Sequence, residues 1–225
     1  MCWARESGRP CRPTGHRDTG MVGRRALVID DCDVATEGRR GYRLLYRIRL
    51  TPWESTGLPM ELVGLAGSGR ALELGCGRGK QAIELARRGW QVVGIDFAPE
   101  AMAAARERAR QAGVSAEFRV GDVTRLAEAD VGTGYDLVYD IKCFHGLAPT
   151  LRPAYAAGVA AACRSHGDFI LFATEPSRRR RRLGLPPGVS ADDVRTVFSA
   201  DFEWVNTKPA PDVPFGEAVY HFRRR

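Results

Sequence analysis

The stretch ALELGCGRGKQAIELARRGWQVVGID, residues 71–96, places three glycines at every second position directly after a short apolar run. Apolar residues then recur at helical spacing as far as Gly89, and a second apolar run ends at Asp96. This succession predicts a strand, a glycine turn, a helix and a second strand. Because glycines let the backbone approach a bound nucleotide closely, the stretch predicts a βα unit that holds a nucleotide-like cofactor.

The alternation of short apolar runs and amphipathic stretches continues through most of the remaining chain. It predicts βαβ units, a mainly parallel sheet and helices on both faces. The two closing runs follow one another without a helix, which predicts an antiparallel C-terminal edge strand. The fold class is therefore α/β and Rossmann-like. The predicted strands are RALELG, QVVGID, AEFRVGD, YDLVYD, DFILFAT, DFEWVNT and EAVYHFRR, and the predicted helices cover 79–88, 99–112, 150–164 and SADDVRTVF.

Three kinds of glycine loop could explain the turn after the first strand. A P-loop needs Ser or Thr after its Lys, but Gln81 follows Lys80, and Leu74 stands where the first glycine belongs. The dinucleotide fingerprint G-x-G-x-x-G, counted from Gly75, needs a third glycine at the position of Lys80. An NAD site is therefore disfavoured but stays open. The pattern that remains is E-x-G-x-G-x-G, residues 73–79.

Acidic residues follow three successive predicted strands after the glycine loop. Asp96 ends the second strand, Asp122 the third and Asp140 the fourth. Asp96 lies at the distance along the chain from the loop at which a carboxylate takes the two hydroxyls of a ribose. A single Asp after a strand is usually a helix cap or a solvated residue, but an ordered series at successive strand ends indicates one binding edge.

This series resembles the class I S-adenosylmethionine-dependent methyltransferases, over about residues 70–225. The resemblance implies a mainly parallel seven-stranded sheet, with the glycine loop alongside the methionine part of the cofactor. It further implies that Asp96 binds ribose, that Phe97 flanks the adenine and that Asp122 approaches the adenine amino group. The cofactor-binding residues implied in this way are Trp53, Glu73, Gly75, Cys76, Gly77, Gly79, Asp96, Phe97, Asp122, Val123 and Asp140.

Two further segments resemble the small-molecule methyltransferases around the thiopurine, thiol and tellurite enzymes. TPWESTGLPMELVGL, residues 51–65, resembles a segment that packs over the cofactor, so Trp53 is expected to cover its methionine end; ordinary core packing is the alternative. DIKCFHGLAPTLRPAY, residues 140–155, resembles the segment after the fourth strand, with Lys142 near an expected Arg. Because of this departure, the acceptor specificity stays open. The predicted substrate-binding residues are Lys142, Cys143 and Phe144.

Methyl transfer from a sulfonium is an in-line displacement, in which alignment of the acceptor contributes more than a base does. His145 follows the fourth strand, where acceptor and cofactor are expected to meet, and is the candidate general base; the alternative is a structural imidazole. Cys143 is expected to line the pocket, because methyl transfer needs no covalent enzyme intermediate. Phe144 is expected to pack on the substrate or in the core.

The composition of the 225 residues is that of a globular protein, with 44% apolar residues. No apolar run reaches the roughly 20 residues that span a bilayer, and the start of the sequence lacks a signal-peptide pattern. Six cysteines at irregular spacing predict neither a metal site nor disulfides, and fit the cytoplasm. The expected organisation is a disordered leader (1–20), an N-terminal cap segment (21–69) and the methyltransferase domain (70–225).

The formal net charge is +7, and arginines are concentrated at 178–182 and 223–225. Such blocks could bind nucleic acid, but without interleaved aromatic residues a solvated loop and terminus are favoured. The expected partner is a small-molecule acceptor with an O, N or S nucleophile, and the expected state is a monomer or homodimer. An RNA methyltransferase that uses the arginine blocks and a non-catalytic S-adenosylmethionine-binding protein are the alternatives.

Overall fold

The computed structural model describes most of the predicted methyltransferase domain and little of what precedes it. The predicted leader (1–20) and the cofactor-covering Trp53 lie outside the described residues, as does most of the cap segment (21–69). The described residues are 68–178, 188–210 and 216–225, together with Arg43, Leu62 and Arg182.

Within these ranges the chain alternates strands with helices, as the sequence predicts. The strands are β1 (Arg70–Leu74), β2 (Gln91–Asp96), β3 (Ala116–Val120), β4 (Tyr135–Ile141), β5 (Cys163–Thr174), β6 (Phe202–Ala210) and β7 (Glu217–Arg224). The α-helices are α1 (Lys80–Arg87), α2 (Pro99–Gln111), α3 (Arg152–Ala162) and α4 (Ala191–Phe198). Short 3₁₀ helices cover Val123–Glu128, Phe144–Gly146 and Pro149–Leu151. Among the helices of the described ranges, none has the length and apolar character needed to cross a bilayer.

The strands form one seven-stranded sheet in the order β3-β2-β1-β4-β5-β7-β6. Strands β1 to β5 pair in parallel, whereas β7 is antiparallel to both of its neighbours. The α/β class and the mixed sheet are therefore confirmed. The strand that lies at the antiparallel edge is β6, since β7 inserts between β5 and β6.

One strand is longer than the sequence predicts. β5 begins at Cys163, directly after α3, rather than at Asp168. His166 has a positive φ of 59° and precedes Gly167, where a Cβ would lie 2.7 Å from the Cys163 sulfur. The irregular start of β5 depends on the close approach of Gly167 to Cys163. The pattern of apolar residues in the sequence does not indicate this contact.

The central strands of the sheet are buried on both faces, as expected for parallel strands covered by helices, whereas the edge strands β3 and β6 are largely exposed. On one face, α3 and α4 pack over aromatic side chains, with the rings of Phe169 and Phe198 4.9 Å apart. On the other face, α1 and α2 cover a second apolar cluster that includes Leu85 and Met102. With both faces covered, ligands of such a sheet bind at the carboxyl ends of its parallel strands, here termed the carboxyl edge.

Candidate functional site

The glycine turn between β1 and α1 forms the first part of the site. Gly75, Gly77 and Gly79 all have positive φ values, of 67°, 52° and 74°, a region that L-residues other than glycine rarely adopt. A Cβ at Gly75 would lie 2.6 Å from the Cβ of Cys143, and one at Gly79 would lie 2.8 Å from the Phe118 ring. The spacing of the three glycines therefore reflects a backbone that turns tightly against its neighbours.

Asp96, at the end of β2, fixes the shape of this turn. Its Oδ2 accepts the Gly77 backbone N–H at 3.0 Å, and its Oδ1 accepts the Ala98 backbone N–H at 2.9 Å. The side chain is almost completely buried, and burial raises the pKa of the carboxyl to about 6. The Phe97 backbone N–H also bonds to this carboxylate. A carboxylate offers about four acceptor positions, so one remains for a further donor, such as a ribose hydroxyl.

Glu73 lies beneath the turn, at the end of β1. Its Oε2 accepts the Tyr139 hydroxyl at 3.2 Å, and the backbone N–H of Ala82 also bonds to the carboxylate. Burial, and to a smaller extent the charges of Asp140 and Asp96, raise the pKa of the Glu73 carboxyl to about 8. The site thus holds a carboxyl group that is easily kept protonated in the absence of a nearby positive charge.

Cys76 contributes its backbone to the turn and its side chain to the core. Its N–H donates to the Ile95 carbonyl at 3.0 Å, and its sulfur lies 4.0 Å from that of Met102. Burial raises the pKa of the Cys76 thiol well above its ordinary value, which suits a packed, unreactive thiol.

Asp140 organises the turn that follows β4. Its carboxylate accepts the backbone N–H groups of Cys143 at 2.8 Å and Phe144 at 2.9 Å, and the hydroxyl of Tyr155 at 2.6 Å. The side chain is fully buried, and burial raises its pKa to about 7. These hydrogen bonds all go to protein groups, so the visible effect of Asp140 is to hold the turn against the glycine loop.

The turn after β4 places the predicted catalytic and substrate-binding residues in different surroundings. Cys143 is partly buried beside Gly75, whereas the Phe144 ring is fully buried against Tyr155, with ring centroids 5.1 Å apart. Of the two placements expected for Phe144, the structure shows the one in the core. His145 is buried in the short 3₁₀ helix Phe144–Gly146, immediately next to the carboxyl edge.

Lys142 has a partner that the sequence did not suggest. Its Nζ lies 2.8 Å from Oε1 of Glu217, the first residue of β7, and 5.4 Å from the centre of the Phe172 ring. The only sequence signal for Glu217 is an acidic residue at the start of an apolar strand. Its pairing depends on β7 lying next to β5, which local sequence patterns do not determine.

The remaining predicted cofactor residues lie at the ends of β2 and β3. Asp122 caps the 3₁₀ helix Val123–Glu128, since its Oδ1 accepts the backbone N–H of Thr124 at 2.9 Å. Val123 is buried, and Phe97 packs partly buried against the α1 and α2 face. The structure thus gathers the described candidates along one edge, from the end of β3 to the turn after β4.

Comparisons with known proteins agree with this geometry. The family described as "Methyltransferase domain" matches residues 71–167. An uncharacterized methyltransferase of Schizosaccharomyces pombe is 33% identical over 116 residues, which cover 50% of this chain and 79% of the relative. The 2-heptyl-1-hydroxyquinolin-4(1H)-one methyltransferase of Mycobacteroides abscessus is 28% identical over 169 residues, 71% of each chain. The chain is a class I S-adenosylmethionine-dependent methyltransferase.

A solved structure shows the same fold. It is the 1,6-didemethyltoxoflavin-N1-methyltransferase of Burkholderia thailandensis, with bound 1,6-didemethyltoxoflavin and S-adenosylhomocysteine. The TM-score is 0.71 at 18% identity, and the match covers 89% of this methyltransferase and 92% of the other chain.

S-adenosylmethionine, the cofactor of this methyltransferase, supplies a methyl group on a positively charged sulfur. The residues at the carboxyl edge fit such a ligand. Asp96 retains acceptor capacity for hydroxyls, and the buried carboxyls of Glu73, Asp96 and Asp140 favour a nearby positive charge. The glycine turn presents backbone without side chains.

The chemical work left to this chain is to bind, orient and exclude water. The Asp140-held turn brings Cys143 against Gly75, which closes the site on the side of β4. Because displacement needs the acceptor atom in line with the methyl carbon, a rigid boundary here contributes through alignment.

Proposed function

We propose that this methyltransferase transfers the methyl group to a small-molecule acceptor, with S-adenosylhomocysteine as the other product. The observation that carries the proposal is the match to the hydroxyquinolone methyltransferase, which extends over 71% of both chains. A match of that extent is longer than the 97-residue segment at 71–167 that the family matches. The named compound is a small bicyclic heterocycle, and so is the ligand of the toxoflavin enzyme.

The carboxyl edge supports an acceptor of that kind. Apart from Asp140 on β4, the cofactor candidates lie at the ends of β1, β2 and β3, which leaves the region after β4, the end of β5 and the start of β7 for the acceptor. There the side chains of Lys142, Phe172 and Glu217 combine a cation, an aromatic ring and a carboxylate. Small-molecule sites typically have such an apolar surface with a few polar groups that fix orientation.

A turnover screen tests the proposal. The purified protein would be incubated with methyl-labelled S-adenosylmethionine and four acceptor classes: hydroxyquinolones, phenols, thiols and RNA transcripts. We expect label in at least one small-molecule class, with a product heavier by one methylene, and none in RNA. The Asp96→Asn variant is the control, because it should lose cofactor binding while the protein stays folded.

Methylation of RNA alone would replace the proposal with the nucleic-acid alternative. If the protein binds the cofactor tightly but methylates no compound in a wider panel of acceptors, the non-catalytic alternative would be favoured.

We further propose His145 as the general base when the acceptor is a hydroxyl group. Its support is its position in the turn after β4, beside the residues that close the site. With a phenolic acceptor, His145→Ala should lower turnover by about 10²-fold and leave the cofactor dissociation constant unchanged. The wild-type rate should rise with pH through the range in which an imidazole loses its proton. Near-full activity of the variant would show that alignment alone suffices.

A further inference from the structure

The ion pair between Lys142 and Glu217 lies on the acceptor side of the carboxyl edge. Lys142 directly follows β4, and Glu217 begins β7, where it pairs in register with Thr174 at the end of β5. Two strand spacings of about 4.8 Å separate β4 from β7, so the pair spans roughly 10 Å across the end of β5.

Only one of the two carboxylate oxygens of Glu217 has a partner among the described residues. Oε1 receives the Lys142 ammonium at 2.8 Å, whereas Oε2 is buried and has no hydrogen-bond donor within the described part of the chain. The Glu217 side chain is 3% exposed, so water does not readily replace the missing donor. Leaving a charged oxygen buried without a donor is costly, and native structures seldom do so without a functional reason.

A purely structural pair would not need this arrangement. Burying Lys142 and Glu217 gives little net stability, because the cost of removing two charges from water offsets their attraction. A pair that only ties β4 to β7 would be expected to satisfy both carboxylate oxygens. The geometry instead holds one oxygen in place and leaves the other without a donor among the described residues.

Resting on the proposed function, we propose that Glu217 determines acceptor specificity. Its Oε2 accepts a hydrogen bond from an N–H or O–H group of the acceptor. Lys142 binds Oε1 and thereby orients the carboxylate, and the Phe172 ring beside the ammonium suits a flat acceptor. The site therefore selects small, planar acceptors that carry a hydrogen-bond donor.

The experiment compares quinolin-4(1H)-one, which has an N–H, with 1-methylquinolin-4(1H)-one, in which a methyl group replaces that hydrogen. Because the methyl group also adds bulk, the Glu217 variants show which part of the preference comes from the hydrogen bond. Binding is measured by NMR titration of the full chain saturated with S-adenosylhomocysteine, so turnover is not required. We expect the wild type to bind the N–H compound at least about tenfold more tightly.

Glu217→Gln should remove or reverse this preference. The Lys142 ammonium would hold the amide oxygen, so the amide NH₂ would replace Oε2 and repel a donor. Arg223→Gln is the matched control, because it removes an ion pair of the same strand, β7, with Asp168 of β5 at the opposite end of the parallel strands. It should retain the wild-type preference. If Glu217→Gln does not fold, the double variant Lys142→Met/Glu217→Met replaces it, since buried ion pairs often tolerate apolar substitution.

Equal affinity of the wild type for the two probes, including binding of neither, would overturn the proposal. So would a preference that survives in both Glu217 variants. Failure of the proposed function would look different, because the binding preference would remain while no small acceptor became methylated in the turnover screen.

Discussion

The two edges of the sheet treat their carboxyl groups in opposite ways. At the carboxyl edge, burial raises the pKa values of Glu73, Asp96 and Asp140 to about 8, 6 and 7. At the amino edge, where the parallel strands begin, the pKa values of Asp136 and Asp168 are lowered. The same type of residue is therefore hard to ionise at one edge and easy to ionise at the other.

The difference comes from the partners at the amino edge. Asp136 accepts the Arg70 backbone N–H at 2.8 Å, which lowers its pKa, and the Arg164 guanidinium at 2.6 Å lowers it further. Burial raises the pKa of Asp168, but the hydrogen bond from His221 and the charge of Arg223 outweigh it.

Carboxylates with such partners stabilise the fold. The three carboxyls at the other edge reduce stability until a positively charged ligand arrives, as is typical of functional sites.

The largest expected effect is the difference in stability and cofactor binding between alanine substitutions at two glycines that both have positive φ. Gly75→Ala should lower stability by more than about 2 kcal/mol and abolish cofactor binding, because φ is 67° and the new Cβ would meet Cys143 at 2.6 Å. Gly89 joins α1 to β2 at the amino edge, with φ 94° and no atom within 4 Å of a Cβ. Gly89→Ala should cost only about 1 kcal/mol and leave binding unchanged. Urea unfolding and calorimetry measure both, and equal losses would contradict the close contact.

A second prediction compares two variants, each of which replaces one carboxylate, at the carboxyl or the amino edge, with an amide. Asp96→Asn should weaken S-adenosylmethionine binding by about 10- to 100-fold, because a charged acceptor of hydroxyl groups contributes roughly 1.5–3 kcal/mol. Asp136→Asn should lower the melting temperature but leave the dissociation constant unchanged. Calorimetric titration gives both constants. An unaltered constant in Asp96→Asn would remove this residue from the cofactor site.

The third prediction concerns the pH dependence of stability without cofactor. A carboxyl with a raised folded-state pKa keeps its proton after the unfolded chain has lost it. The free energy of unfolding therefore falls as pH rises from the ordinary carboxyl range towards about 8, the pKa of Glu73. Asp168 has a lowered pKa, so its contribution is present above the unfolded pKa of about 4 and is lost as the solution becomes more acidic.

Two variants distinguish these contributions. Glu73→Gln should flatten the decline between pH 5 and about 8 by at least about 1 kcal/mol, whereas Asp168→Asn should flatten only the acid limb. Denaturant unfolding at a series of pH values provides the measurement. A decline that persists in Glu73→Gln would mean that other groups titrate there.

The smallest expected effect concerns the arginines at 178–182, which follow β5 at the carboxyl edge; residues 179–181 lie outside the described residues. Replacing the five with Ser should change cofactor affinity and small-molecule turnover by less than about twofold and should remove salt-sensitive retention on nucleic acid. Filter binding and the turnover assay test this. Loss of turnover would instead assign this segment to the acceptor site.

Most of the fold could be predicted because each element has a local signature. The run QVVGID coincides with β2, Gln91–Asp96, and the predicted helix 99–112 is observed as Pro99–Gln111. Both follow from apolar periodicity and from a Pro that is favoured in the first helical turn. The glycine spacing likewise predicted a turn that the backbone angles now show.

What could not be predicted depends on contacts between distant parts of the chain. The carboxylate of Asp140 accepts the backbone N–H groups of Cys143 and Phe144. These hydrogen bonds place the Phe144 ring in the core and Cys143 beside Gly75. The partnership of Lys142 with Glu217 requires β7 to lie inside the sheet. Neither contact leaves a periodic pattern in the sequence.

The insertion of β7 between β5 and β6 also orders the events of biosynthesis. β6 leaves the ribosome first, yet among the described strands it pairs only with β7, so it lacks that partner until β7 emerges. During this interval the exposed edge of β5 and the unpaired β6 could each join the wrong strand, a hazard that chaperones limit. The carboxylate of Glu217 arrives with β7, so the acceptor side of the enzyme is completed only after the cofactor side can already have formed.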